Sequence, residues 1–185
     1  MPVFLINEKI EFIIVNNNIY EQHKKMPFYK DESYGAVVIS SSRKVLLIKQ
    51  RCFHSSYWAL PKGHKHEHED AAMAAVREVN EECGLSLKRH NLVDGIWTNE
   101  SYQYKGPLHA DAWIKHKSFP NASRRPTVSY DKTVYYALAK VDGEPETKPQ
   151  ADEVDEAGWY PIHEALKMLK HEAQRDVLLR LYAQV

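Results

Sequence analysis

A helix that starts after Asp70 and stops before Gly84 constrains this chain more than any other segment. Asp70 has a side chain suited to an N-terminal cap, and Gly84 suits the left-handed residue that closes a helix. An apolar stripe follows helical spacing along one face, formed by Ala72, Val76, Val79 and Cys83. We predict that this stripe packs on a sheet and leaves the opposite face pointing outward.

The opposite face of this helix carries three carboxylates. Glu78, Glu81 and Glu82 have the spacing i, i+3 and i+4, which brings their side chains together within one turn. Like charges at these spacings destabilise a helix by a few tenths of a kcal/mol per pair, so a divalent cation is the expected compensation. Mg²⁺ prefers oxygen ligands shared with substrate phosphates, and a carboxylate free of metal can accept a proton from an attacking water. The plainer alternative is a solvated acidic face with Arg77 as its ion-pair partner.

Strand patterns surround this helix. Apolar runs at 34–40 and 44–50, joined by Ser-Ser-Arg, indicate a hairpin, and 131–141 indicates a long strand. The C-terminal segment has helical spacing with a break near residue 171. This order predicts an α/β domain with a mixed sheet between helices. We expect that domain to span 34–185, with an N-terminal extension at 1–33 packed on the core and an insertion at about 99–130.

Composition excludes several classes of protein. Lys and Arg number 25 and Asp and Glu number 25, so no net charge attracts the chain to nucleic acid or to anionic membranes. Two cysteines in a chain of 185 residues indicate reduced thiols rather than a disulfide scaffold. The N-terminal run lacks a basic region, and no stretch approaches the roughly 20 apolar residues of a membrane span. We therefore expect a cytoplasmic protein with no membrane partner.

A longer pattern includes the acidic helix. Gly63 is followed after five residues by Glu69, and after seven more by the run Arg77–Leu85, Arg-Glu-Val-Asn-Glu-Glu-Cys-Gly-Leu. This pattern resembles the Nudix box, G-x5-E-x7-R-E-U-x-E-E-x-G-U with U an aliphatic residue, at every defined position. On these residues the chain is identified as a member of the Nudix hydrolases. The resemblance implies an α/β/α sandwich in which the box forms a loop–helix–loop. It also implies hydrolysis of a nucleoside diphosphate linked to another group, with Mg²⁺ or Mn²⁺ and two or more ions during turnover.

The resemblance assigns roles position by position. It implies the metal ligands Glu69, Glu78 and Glu82. Glu81 becomes either a further ligand or the general base, and Arg77 orients the glutamates. Two glycines shape the loops, namely Gly63 and Gly84. A rival of another class is a nucleotide-binding module or scaffold without significant catalysis, but such a module is expected to have lost a metal-binding glutamate, and all are present here.

The residues outside the box favour one branch of the family. "WALPKGH" at 58–64 and the strand at 131–141 resemble the diadenosine tetraphosphate hydrolases, which form ATP and AMP by water attack on phosphorus. The match of 151–166 makes Glu153 an additional metal ligand. It also predicts that Lys62 and His64 contact polyphosphate oxygens and that Tyr136 stacks on a base, although strand alternation alone does not choose between Tyr136 and its neighbour Tyr135.

Two further segments leave alternatives open. The long connection before residue 131 combines basic and aromatic residues: Tyr102, Tyr104, Lys105, Trp113, Lys115, Lys117, Arg124 and Arg125. Such a combination can bind RNA ends or a highly phosphorylated ligand, which keeps RNA 5′-end pyrophosphohydrolase (decapping) and diphosphoinositol polyphosphate hydrolase activities as alternatives to a solvated insertion. Three alternating histidines, His64, His66 and His68, raise the alternative of zinc, but the fourth ligand is lacking, so we predict a solvated loop.

Overall fold

The computed structural model describes residues 28–52, 55–109, 125–149 and 152–185, together with short strands at 14–15 and 18–19. The chain divides into two compact units, one formed by Met1–Asp31 with Gln103–Asp131 and the other by Glu32–Tyr102 with Lys132–Val185. The extension at 1–33 and the insertion at about 99–130 stay predictions. Several basic or aromatic residues of that insertion lie outside the described residues: Trp113, Lys115, Lys117 and Arg124.

Strands and helices follow the predicted order. The strands are β1 (Ile14–Val15), β2 (Asn18–Ile19), β3 (Tyr29–Ser40), β4 (Lys44–Cys52), β5 (Ser55–Ala59), β6 (Lys62–His64), β7 (Leu92–Pro107), β8 (Thr127–Val141) and β9 (Val154–Pro161). The helices are α1 (Ala71–Cys83), α2 (Ile162–Met168) and α3 (Glu172–Tyr182), with a 3-10 turn at Arg89–Asn91. The predicted hairpin corresponds to β3 and β4. The predicted break near residue 171 separates α2 from α3.

Seven strands form the central sheet. Its main path runs β5-β4-β3-β8-β7, with β6 beside β3 and β9 beside β4. β4 pairs antiparallel with β3, β5 and β9. β6 pairs antiparallel with β3 in the register Tyr34↔Gly63, which fixes the segment that begins the Nudix-like pattern against the sheet.

Helices cover both faces of this sheet. On one face, even-numbered residues of β3 such as Ala36 and Val38 pack with Val79 and Cys83 of α1. On the other face, Val37 and Ile39 pack with apolar residues of α2 and α3, namely Ala165, Val177, Leu178 and Leu181. Alternation along β3 therefore serves two cores, as expected for a strand buried on both sides. The predicted α/β/α sandwich is confirmed.

The ends of α1 are set by the residues that the sequence indicates. The Asp70 carboxylate accepts a hydrogen bond from the Met73 amide at 2.8 Å, which satisfies one free N–H of the first turn. Gly84 has a φ of 68°, and its amide donates to the Asn80 carbonyl at 2.8 Å. A side chain at Gly84 would also collide with the Lys148 carbonyl. The C-terminal end therefore requires glycine, and the N-terminal end has a residue type suited to a cap.

The unit formed by Met1–Asp31 and Gln103–Asp131 has its own aromatic cluster. Tyr130 stacks on Tyr104 with ring centroids 4.8 Å apart and on His109 at 4.7 Å. The Tyr104 hydroxyl donates to the buried Asp31 carboxylate at 2.7 Å.

In the described part of the chain, no helix has the length and apolar character needed to cross a membrane. The two cysteines are unpaired with each other, Cys52 being exposed and Cys83 buried.

Candidate active site

The three glutamates of α1 differ in burial. Glu82 is 4% exposed and Glu78 is 9% exposed, whereas the Glu81 side chain is 48% exposed. We predicted that the carboxylate face of α1 points outward. This prediction is wrong for Glu78 and Glu82, which are buried. The reason is that β6 lies over the helix, with Gly63 directly above the Glu78 carboxylate. A side-chain carbon at Gly63 would overlap that carboxylate, so glycine is required for the two elements to approach this closely.

Burial governs the ionisation of Glu82 and Glu78. The Glu82 carboxylate accepts a hydrogen bond from the Lys62 backbone amide at 2.7 Å. Loss of hydration raises the pKa of Glu82 to about 8, although the Lys62 charge and amide act in the opposite direction. Loss of hydration also raises the pKa of Glu78, although Arg77 lowers it. These two carboxyl groups are therefore poised to gain from an added positive charge.

Arg77 is the centre of a second set of contacts. Its guanidinium donates to Glu69 at 2.7 and 3.0 Å, to Glu78 at 2.7 Å and to Glu81 at 2.8 Å. It also donates to the His64 carbonyl at 2.7 Å, which ties α1 to β6. The carboxylates raise the pKa of Arg77 above its already high value, so this side chain stays charged. Arg77 thus contacts three glutamates at once, and its orienting role stays a prediction.

Glu69, which the sequence predicts as a metal ligand, accepts hydrogen bonds from Arg77 and from the backbone in this structure. One of its oxygens accepts from Arg77, and the other accepts from both Arg77 and the His66 amide at 2.8 Å. These hydrogen bonds, chiefly those from Arg77, lower the pKa of Glu69 to about 2. Glu69 also does not border the cleft described next. The structure therefore makes Glu69 an anchor for Arg77.

A polar cleft of about 270 Å³ collects most of the predicted site residues. It is lined by Gln50, Lys62, Gly63, His64, His66, Arg77, Glu78, Glu81, Glu82 and Glu153. Glu153 reaches it from the turn before β9, and the Glu153 carbonyl accepts from the Arg51 amide at 2.8 Å. We call this space the carboxylate cleft. It brings together carboxylates from two parts of the chain that are far apart in sequence.

Lys62 and His64 both border the carboxylate cleft. The Lys62 ammonium donates to the Gln50 side-chain oxygen at 3.3 Å, and this oxygen also accepts from the Tyr57 hydroxyl at 3.3 Å. The His64 ring lies 3.2 Å from the Lys132 ammonium. Positive side chains thus accompany the carboxylates, as a phosphate-binding site requires.

Tyr136 lies elsewhere. Its side chain is fully buried in the core that faces α3, and its hydroxyl donates to the Glu100 carboxylate at 3.1 Å. The prediction that Tyr136 stacks on a base is therefore wrong in this structure, because no face of the ring is exposed. The adjacent Tyr135 points to the opposite side of the sheet, where it is partly exposed.

The sequence did not reveal two residues, one in the cleft and one buried. Gln50 borders the carboxylate cleft, but as one polar residue at the end of a strand it gave no signal. Gln174 accepts from the Leu60 amide at 3.1 Å and approaches Glu100 at 3.4 Å. Gln174 interrupts the apolar stripe of α3, and a polar residue in such a stripe is the signal that would have indicated a buried hydrogen-bond partner.

Comparison with known proteins identifies the family. Residues 30–182 match the model of the NUDIX domain. The chain belongs to the Nudix family. As a Nudix hydrolase it is a pyrophosphohydrolase for nucleoside-diphosphate-linked substrates, a class that uses divalent metal ions.

Solved structures share the fold at low sequence identity. A C. elegans Ap4A hydrolase binary complex is 21% identical with a TM-score of 0.57, over 83% of this chain and 96% of that one. The E. coli dihydroneopterin triphosphate pyrophosphohydrolase is 17% identical with a TM-score of 0.53, over 86% of this Nudix chain and 100% of that one. A third structure is a Francisella tularensis bifunctional NMN adenylyltransferase/ADP ribose pyrophosphatase complexed with AMP and a Mn ion. It is 17% identical with a TM-score of 0.56, over 85% of this chain and 42% of that one.

The donor set of this Nudix chain fits a hard divalent cation. Glu78, Glu82 and Glu153 supply carboxylate oxygens to one cleft, and oxygen is the donor that Mg²⁺ and Mn²⁺ prefer. Burial without a full counter-charge raises the pKa of Glu78 and Glu82, and a cation would supply that charge. The fit therefore rests on the chemistry of the buried carboxylates.

Proposed function

We propose that this Nudix hydrolase cleaves diadenosine tetraphosphate to ATP and AMP with Mg²⁺ or Mn²⁺. One observation carries the proposal: four carboxylates and Lys62 border a single cleft, and Lys62 belongs to the Pro-Lys-Gly-His segment that opens the Nudix box. A polyphosphate needs both kinds of group, because its oxygens bind cations and ammonium groups.

Glu78, Glu82 and Glu153 would hold the cations. When bound, these ions neutralise phosphate charge and make a water molecule more acidic. Arg77 fixes the direction of the Glu78 carboxylate through a bond of 2.7 Å, and Lys62 fixes Glu82 through its backbone amide. The protein therefore supplies ligands whose positions are set before substrate arrives.

Glu81 is our choice for the general base. Its carboxylate borders the cleft, is about half exposed and is held by Arg77 at 2.8 Å. The water oxygen forms a bond to phosphorus while the bond from phosphorus to the bridging oxygen breaks. Glu81 receives the proton of the water, and the bridging oxygen leaves with the second product. One water is consumed, and ATP and AMP are released.

Other substrates are tested by the same experiment. Purified protein is incubated with diadenosine tetraphosphate, ADP-ribose, a diphosphoinositol polyphosphate and triphosphorylated or capped RNA, each with Mg²⁺ or Mn²⁺. We expect the first to give ATP and AMP, and ¹⁸O from labelled water to appear in only one of the two. Cleavage of another substrate with no cleavage of diadenosine tetraphosphate contradicts the proposal.

Two variants examine the role of Glu81. We expect Glu81→Gln to lower kcat by about 10²- to 10⁴-fold with little change in KM, as for loss of a general base. Glu67→Gln is the matched control, because Glu67 is exposed and lies on the loop before α1. A Glu81→Gln variant with normal kcat assigns the base elsewhere.

A further inference from the structure

Three polar side chains form a network in the core that faces α3. The Tyr136 hydroxyl donates to the Glu100 carboxylate at 3.1 Å, and the Gln174 amide nitrogen donates to the same oxygen at 3.4 Å. The exposed fractions of Glu100, Gln174 and Tyr136 are 5%, 3% and 0%. Well-packed apolar residues often stabilise a core at least as well as buried charged groups do, so stability alone does not explain a carboxylate here.

This network ends on the connector between β5 and β6. The Gln174 side-chain oxygen accepts from the Leu60 backbone amide at 3.1 Å. Because a backbone amide can only donate, this bond requires the oxygen of Gln174 at that place and directs its nitrogen toward Glu100. Leu60 is fully buried, and with Pro61 it forms the two-residue connector. The network therefore holds the main chain of the connector.

The connector is held from the other side of the sheet as well. Pro61 has no amide hydrogen, so the next donor along the chain is the Lys62 amide. It donates to the Glu82 carboxylate of α1 at 2.7 Å. A side-chain carbon at Gly35 of β3 would collide with the Pro61 carbonyl oxygen, so the connector lies directly against the sheet. Both amides of this segment thus have a buried partner, one on each side.

The two amides are mechanically coupled. Only Pro61 separates Leu60 from Lys62, and its ring fixes one of the backbone torsions between them. A displacement of the Leu60 amide is therefore passed to the Lys62 amide and to the Glu82 oxygen that this amide contacts. Groups that orient a metal ligand in this way set how well the ligand binds its ion.

We propose that Gln174, oriented by Glu100 and Tyr136, is a positioning residue for the Glu82 carboxylate. It acts through the connector, and it is not among the residues that line the carboxylate cleft. The assignment rests on the proposed function, because it takes Glu82 to hold a cation. A fully satisfied polar network makes its surroundings rigid, which is the property that a ligand fixed before metal binding requires.

Mn²⁺ binding tests this proposal without requiring turnover. Free Mn²⁺ is measured by electron paramagnetic resonance in titrations of wild type and of Gln174→Met, which keeps the length of the side chain and removes both of its hydrogen bonds. We expect Gln174→Met to bind Mn²⁺ about 10-fold more weakly or worse. Hydrogen exchange followed by NMR should show loss of protection at the Lys62 amide as well as at the Leu60 amide.

Two further variants separate positioning from stability. The double variant Glu100→Gln/Gln174→Glu keeps one amide, one carboxylate and an acceptor for the Leu60 amide. We expect it to bind Mn²⁺ within about threefold of wild type, because each group keeps a partner. Val177→Ala is the matched control, since it removes apolar atoms from the same core and no hydrogen bond. It should lower the melting temperature and leave Mn²⁺ binding unchanged.

Several results would overturn the proposal. These are unchanged Mn²⁺ binding by folded Gln174→Met, equal weakening in Val177→Ala, or failure of wild type to bind Mn²⁺. If the Gln174 variants do not fold, exchange in wild type decides. Coupling is reciprocal, so saturating Mg²⁺ should slow exchange at Leu60 as well as at Lys62, and an unaffected Leu60 amide contradicts it.

The outcome is independent of the substrate assignment. If Mn²⁺ binding depends on Gln174 but diadenosine tetraphosphate is not cleaved, the proposed substrate fails and the positioning role stands. If diadenosine tetraphosphate is cleaved and Gln174→Met binds Mn²⁺ normally, the positioning role fails and the proposed function stands.

Discussion

The glutamates on the two sides of the carboxylate cleft have opposite electrostatic environments. On the Arg77 side, Glu69 and Glu81 accept hydrogen bonds from a permanent cation, and the pKa of Glu69 falls to about 2. On the Lys62 side, Glu82 is buried against a backbone amide, and its pKa rises to about 8. Glu81 and Glu82 are adjacent in α1, so the difference between them arises from the neighbouring elements rather than from the helix itself.

This difference shows how one motif separates structure from chemistry. Glu69 is already neutralised by Arg77 and holds the loop onto the helix. Burial makes the charged form of Glu82 unfavourable, and a bound cation would stabilise that form. Glu78 belongs to both sides, because Arg77 contacts it while burial raises its pKa.

The largest effect is expected for Glu82→Gln. The variant removes a ligand on the Lys62 side, so turnover should fall by about 10³-fold or more. Its thermal stability without metal should equal or exceed that of wild type at pH 8.5, where the wild-type carboxyl is charged and buried. Steady-state kinetics and melting curves measure the two quantities. Full activity in this variant would remove Glu82 from the site.

Arg77→Lys should have a smaller effect. A lysine keeps the charge but cannot contact Glu69, Glu78, Glu81 and the His64 carbonyl together. We expect metal affinity or activity to fall by about 10- to 100-fold, as for groups that orient metal ligands. Calorimetry with Mn²⁺ and kinetics test this. An effect as large as that of Glu82→Gln would remove the distinction between the two sides.

A pH titration tests the Lys62 side. We expect the apparent metal affinity to rise by about tenfold per pH unit until the pH reaches about 8. Because burial raises the pKa of Glu82, its protonated form stabilises the folded state below the ordinary carboxyl pKa, and this contribution is lost as pH rises toward about 8. At pH 6 a bound ion must displace that proton, whereas above pH 8 it need not. The rise in Tm caused by Mg²⁺ should therefore be larger at pH 8.5 than at pH 6. In Glu82→Gln this pH dependence should be reduced.

Asp70→Ala should produce the smallest change. Loss of the N-terminal cap of α1 should lower the free energy of unfolding by about 1 kcal/mol and leave kcat within about twofold. Denaturant unfolding measures the first quantity. Asp70→Asn is the conservative partner and should lose less, because asparagine also caps helices. A large loss of kcat in Asp70→Ala would mean that the start of the helix controls the cleft.

Local features of this chain were predictable from sequence. The caps Asp70 and Gly84 and the spacing of the glutamates depend on residues a few positions apart, so a single helix displays them. The resemblance to the Nudix box also predicted the fold, because the box includes the loops on both sides of the helix. The inward turn of Glu78 and Glu82 depends on β6 lying over α1, and this contact involves the register Tyr34↔Gly63, which no local pattern encodes.

The two adjacent tyrosines show the same limit. Alternation correctly places Tyr135 and Tyr136 on opposite faces of β8, but both faces of this sheet are covered by helices. Only the packing of α1 and α3 decides which of the two rings is fully buried and which is partly exposed. The wrong choice of Tyr136 therefore reflects information that lies in the tertiary structure rather than in the strand.

The position of Glu153 in the turn before β9 has a consequence for the kinetics of folding. Helix α1 forms from local contacts, and its glutamates are hydrated until β6 and the Glu153 turn close over them. That closure joins segments distant in sequence, and such contacts commonly form late. A cation bound only after closure stabilises the native state more than the transition state. It should thus slow unfolding more than it speeds folding, so that metal acts chiefly on the lifetime of the folded enzyme.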